Sequence, residues 1–84
     1  MDNVYIVQCH RECGCEVDDV FVFATREDAL KTWREMVAKY RGQDAFTEDD
    51  YDEPTDNFFY GVASFICKFT DNEHRVIVRD IGVK

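Results

Sequence analysis

Cys9, His10, Cys13 and Cys15 place four soft-metal donors within seven residues, and Cys67 and His74 add two more further along the chain. Thiolate sulfur and imidazole nitrogen are the donors that structural zinc prefers. The cysteine spacing is C-x3-C-x-C and lacks the paired C-x2-C knuckles whose turns present two sulfurs to one ion. Zinc held by the Cys9 to Cys15 cluster is therefore the alternative reading, and the leading expectation is no metal and no cofactor. A redox pair from Cys13 and Cys15 is disfavoured too, because neither precedes a helix that would lower its pKa. Without a metal, Cys9 and Cys67 are expected to act as small buried apolar side chains.

Carboxylates form the second constellation. No Lys or Arg occurs between Gly42 and Cys67, and the first part of that interval carries Asp44, Glu48, Asp49, Asp50, Asp52, Glu53 and Asp56. A calcium loop fails on spacing: Asp50 and Asp52 take the first two ligand positions of an EF-hand, but the third falls on Pro54. The sharp-turn glycine position falls on Thr55 and the closing glutamate position on Gly61. Charge mimicry fits better. Carboxylates spaced along a surface can replace the phosphates of a nucleic acid and occupy the basic groove of a protein that reads phosphates. The candidate partner-binding residues are Glu48, Asp49, Asp50, Asp52, Glu53 and Asp56, with Asp18 and Asp19 extending the array if the first hairpin faces the same way; Glu12 and Glu16 lie beside them in sequence. The competing reading is a solvated acidic loop that serves solubility alone.

The balance of 18 acidic against 10 basic residues gives a formal charge of −8 over 84 residues. Such an anionic surface repels phosphate and anionic lipid, which excludes direct nucleic-acid binding and membrane-surface binding as expected functions. The chain suffices for one domain, and its 45% hydrophobic and 14% aromatic content can supply one modest core. No run approaches the roughly 18 apolar residues of a membrane helix, and Met1-Asp2-Asn3 carries no basic segment before an apolar one. A cytoplasmic protein with reduced thiols is expected. His10 and His74 are the only histidines. No nucleophile can be set beside either at a recognisable elbow, so the expectation is not an enzyme.

The elements that must position these residues follow from periodicity. Val4 to Cys9 and Val20 to Phe23 are rich in β-branched and aromatic residues and read as a hairpin. Thr25-Arg26-Glu27-Asp28 offers a capping hydroxyl with acids in the first turn, which predicts a helix from about Thr25 to Arg41 closed by Gly42. Leu30, Trp33, Val37 and Tyr40 recur at helical spacing, widened by Ala29 and Met36, and make Trp33 and Leu30 the expected centre of the core. Residues from about 43 to 57 read as a long acidic loop. Phe58 to Phe69 reads as a third strand, in which Gly61, Ala63 and Ser64 are small enough to admit Trp33. His74 to Ile81 reads as a fourth. The expected fold is α+β: a four-stranded antiparallel sheet with one principal helix, in the order β-β-α-β-β. One helix cannot cover every aromatic of the third strand, so the spare sheet face is either covered by loops or is a homodimer or partner surface.

Asn3-Val4-Tyr5-Ile6-Val7, then Val20-Phe21-Val22-Phe23 running into Ala24-Thr25-Arg26-Glu27-Asp28-Ala29-Leu30 and a Trp-bearing helix, resembles the small β-β-α proteins of phage and mobile-element accessory genes. The likeness covers about the first 40 residues. Small size, acidity and the lack of catalytic motifs also resemble anti-CRISPR and related anti-defence inhibitors. That resemblance implies a phage-encoded inhibitor in the host cytoplasm, with an acidic surface that blocks a basic nucleic-acid-binding nuclease or effector complex.

Overall fold

The computed structural model describes residues 3–11, 17–43, 46–69 and 72–82. It contains β1 (Asn3–Arg11), β2 (Val17–Phe23), α1 (Arg26–Arg41), β3 (Phe46–Asp52), β4 (Tyr60–Cys67) and β5 (Glu73–Gly82). The strands form one five-stranded sheet in the order β2-β1-β5-β4-β3, and every neighbouring pair is antiparallel. Alternation sorts the side chains. On one face Tyr5, Val7 and Cys9 of β1 lie beside Val76 and Val78 of β5, and these beside Ala63 and Phe65 of β4. The other face carries Ile6, Ile77, Val62 and Ile66, with Arg75 and Arg79 between them.

α1 packs on the first face. Thr25 caps it, its Oγ1 accepting from the Asp28 N–H at 3.2 Å, and Gly42 ends it with its N–H donated to the Ala38 carbonyl at 3.0 Å. Its buried stripe is Ala29, Trp33, Val37 and Tyr40, at spacings of four, four and three residues. Leu30, expected at the centre of the core, packs only partly buried at its margin because Ala29 holds the position nearest the sheet. Trp33 is fully buried, and its indole N–H donates to the Val76 carbonyl at 3.0 Å, so the largest side chain of the core keeps its one polar group satisfied.

The sheet has five strands, not the expected four, and the order is β-β-α-β-β-β. The additional strand, β3, lies inside the segment read as an acidic loop. Its sequence Phe-Thr-Glu-Asp-Asp-Tyr-Asp is poor in strand-forming residues, but β4 supplies a complete ladder beside it, from Phe46 opposite Cys67 to Asp52 opposite Val62. An irregularity between Glu48 and Asp50 shifts the register by one residue. This bulge reconciles the strand with its charges: before it Phe46 and Glu48 face the helix, after it Tyr51 does, and Asp50 and Asp52 turn to the opposite face. Phe46 packs edge-on against Tyr40 with ring centroids 6.0 Å apart, and Tyr51 stacks on Trp33 at 5.5 Å. Two aromatic anchors thus fasten an otherwise polar strand.

Gly61 serves a different neighbour from the one expected. A Cβ there would lie 2.7 Å from Pro54 Cδ and 3.1 Å from Val78 Cγ1, so its smallness admits the prolyl ring that follows β3. Phe69, expected in the third strand, lies beyond the end of β4 and is exposed. His74 is half-buried between Tyr40 and Phe46, with ring centroids 5.3 and 5.0 Å away.

Candidate functional site

The acidic residues resolve into three groups. Glu48 and Glu53 are held by the helix: Arg41 Nε donates to Glu48 Oε1 at 2.7 Å and an Arg34 guanidinium nitrogen donates to Glu53 Oε1 at 3.0 Å. These pairs are half-exposed and each contributes about 0–1 kcal/mol. They align β3 with α1 more than they stabilise the fold. The Tyr51 hydroxyl donates to Glu53 Oε2 at 2.6 Å. That bond and Arg34 hold the Glu53 carboxyl below its ordinary pKa. Partial burial, together with the same bond, raises the Tyr51 hydroxyl above its own. Arg41 also lies over the Tyr51 ring, 5.2 Å from its centroid, so one guanidinium meets a carboxylate and an aromatic face together.

Asp49, Asp50 and Asp52 form the second group. All three are exposed on the edge strand, Asp49 at the bulge and Asp50 and Asp52 on the face away from α1. No ion pair joins them to a cation among the described residues. Asp50 and Asp52 are alternate residues of one strand, so their backbones stand about 6.6 Å apart. Asp56 is exposed in the connection after β3. That connection is fastened by the Thr55 N–H to the Phe58 carbonyl at 3.0 Å, by the Phe58 N–H to Thr55 Oγ1 at 3.1 Å, and by an Arg26 guanidinium nitrogen to the Thr55 carbonyl at 3.2 Å.

Asp18 and Asp19 form the third group. They belong to β2, at the opposite edge of the sheet from β3. Four inter-strand spacings of about 4.8 Å separate the edges by about 19 Å, so the two acidic stretches do not form one contiguous row. Glu12, Cys13, Gly14, Cys15 and Glu16 lie outside the described residues, so the cluster on which the alternative zinc reading rests falls largely there.

The donors that are described do not converge. Cys9 is buried on the helix face opposite Val76, and His10, its neighbour in an unbroken β1–β5 ladder, projects to the other face. Cys67 lies four residues along β4 from Ala63, the partner of Val76, or about 13 Å along the strand from the level of Cys9. Among the described residues no group of three or more His, Cys, Asp or Glu could hold a metal ion. No described helix is long and apolar enough to cross a membrane.

Sequence reading missed the two helix arginines, although Arg34 and Arg41 repeat at a spacing of seven on one helix flank and face a strand with no cation of its own. It missed Tyr51 as well, the one aromatic between Glu48 and Asp56. No family model, curated protein or solved structure matches the chain.

Proposed function

We propose that this chain is a protein-binding module whose acidic edge strand engages a basic surface of a partner that otherwise binds nucleic acid. One observation carries the reading: β3 presents Asp49, Asp50 and Asp52 on a fixed backbone, exposed and with no ion-pair partner among the described residues, while the helix arginines take Glu48 and Glu53. A strand held on one side by a full ladder displays charge at fixed spacing, so the anions lose little freedom on binding. Glu48 and Glu53 contribute to the field, whereas the aspartates contribute direct contacts. In this reading the action is occlusion: carboxylates occupy lysines and arginines that would otherwise meet phosphates. An inhibitor of a nuclease or effector complex, of the kind phages encode, is the functional class this mechanism serves best.

The triple substitution Asp49→Asn, Asp50→Asn, Asp52→Asn tests it. The wild-type chain should retain heparin-binding proteins of a bacterial lysate, release them to duplex DNA, and block the DNA binding of each purified partner. The triple variant should do none of these while melting at the same temperature. Unchanged capture by the variant, or capture that duplex DNA does not reverse, would sink the proposal.

A further inference from the structure

The edge strand is used twice, once on each face, and only one face is complete. On the helix face Arg41 lies between Glu48, 2.7 Å away, and the ring of Tyr51, 5.2 Å from its centroid. The opposite face repeats the carboxylate and the aromatic, and among the described residues no guanidinium is seated between them, Arg79 standing on the β5 side of Tyr60, away from β3. Asp52 stands opposite Val62, and Tyr60, two residues along β4 on the same face, is its diagonal neighbour. Diagonal cross-strand neighbours lie about 7–8 Å apart at the backbone, within reach of one long side chain laid between them.

Phe58 widens the aromatic surface. Its ring stacks on Tyr60 with centroids 6.0 Å apart and an interplanar angle of 30°, and the residue is 67% exposed. Three hydrogen bonds fix its backbone: its carbonyl accepts from the Thr55 N–H at 3.0 Å and from the Tyr60 N–H at 3.2 Å, and its own N–H donates to Thr55 Oγ1 at 3.1 Å. An exposed ring presented on a fastened turn contributes nothing to the core. Among the described residues the cation–π contacts are Arg26 on Phe59 and Arg41 on Tyr51. Arg79, opposite Tyr60 on β5, takes part in neither, and the β3 carboxylates on the same face, Asp50 and Asp52, have no described ion-pair partner.

We infer that this outer patch, Asp50, Asp52, Phe58 and Tyr60, receives arginine side chains of the partner in preference to lysine. The inference rests on the proposed acidic-edge function and specifies its partner chemistry. A planar, weakly hydrated guanidinium lies flat on an aromatic ring while its N–H fork meets a carboxylate. A strongly hydrated ammonium satisfies the carboxylate but gains less from the ring. The chain makes that combination itself with Arg41, Glu48 and Tyr51.

Hexa-arginine and hexa-lysine peptides of equal length and charge provide the test, by fluorescence anisotropy at fixed salt. For the wild-type chain hexa-arginine should bind about two- to fivefold tighter than hexa-lysine, the factor given by one cation–π contact at an exposed site. Phe58→Ala should narrow this difference, because only the Tyr60 ring then remains, and should change hexa-lysine binding less than hexa-arginine binding. Because Phe58 is exposed, that variant should also melt with the wild type. Asp50→Asn with Asp52→Asn should weaken both peptides. Equal affinity for the two peptides, or a preference that Phe58→Ala leaves undiminished, overturns the arginine inference while the acidic-edge function stands. Absence of salt-dependent binding by either peptide overturns both.

Discussion

Replacing Trp33 by Phe probes one of the two aromatic contacts that tie the core to the strand carrying the candidate site. The substitution removes the indole N–H that donates to the Val76 carbonyl at 3.0 Å, at a net cost of about 1 kcal/mol. It also shortens the ring at a fully buried position. A residual void of roughly 40 Å³, at about 24 cal/mol per Å³, adds about 1 kcal/mol. The sum, about 2 kcal/mol, corresponds to a fall in melting temperature of about 8–16 °C for a domain of this length. Trp33→Ala would instead cost about 3–5 kcal/mol, which rivals the whole stability of about 4–13 kcal/mol that 84 residues afford. The conservative variant is therefore the one to measure, by urea unfolding followed by far-ultraviolet circular dichroism. Combining Trp33→Leu with Tyr51→Leu gives a double-mutant cycle in which each single variant removes the ring-on-ring contact. Because the two rings stack at 5.5 Å and 22°, the coupling should be about 0.5–1.5 kcal/mol. An unchanged midpoint for Trp33→Phe, or a coupling of zero, would refute both the placement of Trp33 and the docking of β3 on it.

The Tyr51–Glu53 contact sets a pH dependence with two signs. Glu53 has a lowered folded pKa, so its contribution is present above the ordinary carboxylate range and is lost as pH falls through the folded value; Tyr51 has a raised pKa, so its contribution is lost as pH rises above about 10. Thermal melts across pH should show both edges, each below about 1 kcal/mol at this exposed site, and Tyr51→Phe should remove the alkaline one. Gly61→Ala forces a methyl group against Pro54 and Val78 and should cost about 1–3 kcal/mol by chemical denaturation; a cost near zero would show that Pro54 yields freely. Thr25→Ala removes the cap of α1 and should cost about 1 kcal/mol, measured in the same way.

Residue types and local spacing determined much of this protein. The helix, its cap at Thr25, its end at Gly42 and its buried stripe through Trp33, Val37 and Tyr40 were legible because each depends on neighbours within a turn or two. Four strands were legible too, from β-branched and aromatic runs. β3 was not. The acids of Thr-Glu-Asp-Asp-Tyr-Asp outweigh its two strand-favouring residues, and the strand forms because β4 supplies backbone partners, Trp33 and Tyr40 supply docking surfaces, Arg41 answers Glu48 within it and Arg34 answers Glu53 just after it. The central place of β5, between the first strand and the fourth, is likewise a long-range choice, made by the burial of Val76 and Val78 under the helix. Charge could be counted along the chain, but which carboxylates are neutralised by the helix and which stand exposed on the outer face depends on a one-residue bulge. A shift of one position in a strand exchanges its faces, and only tertiary pairing sets that register.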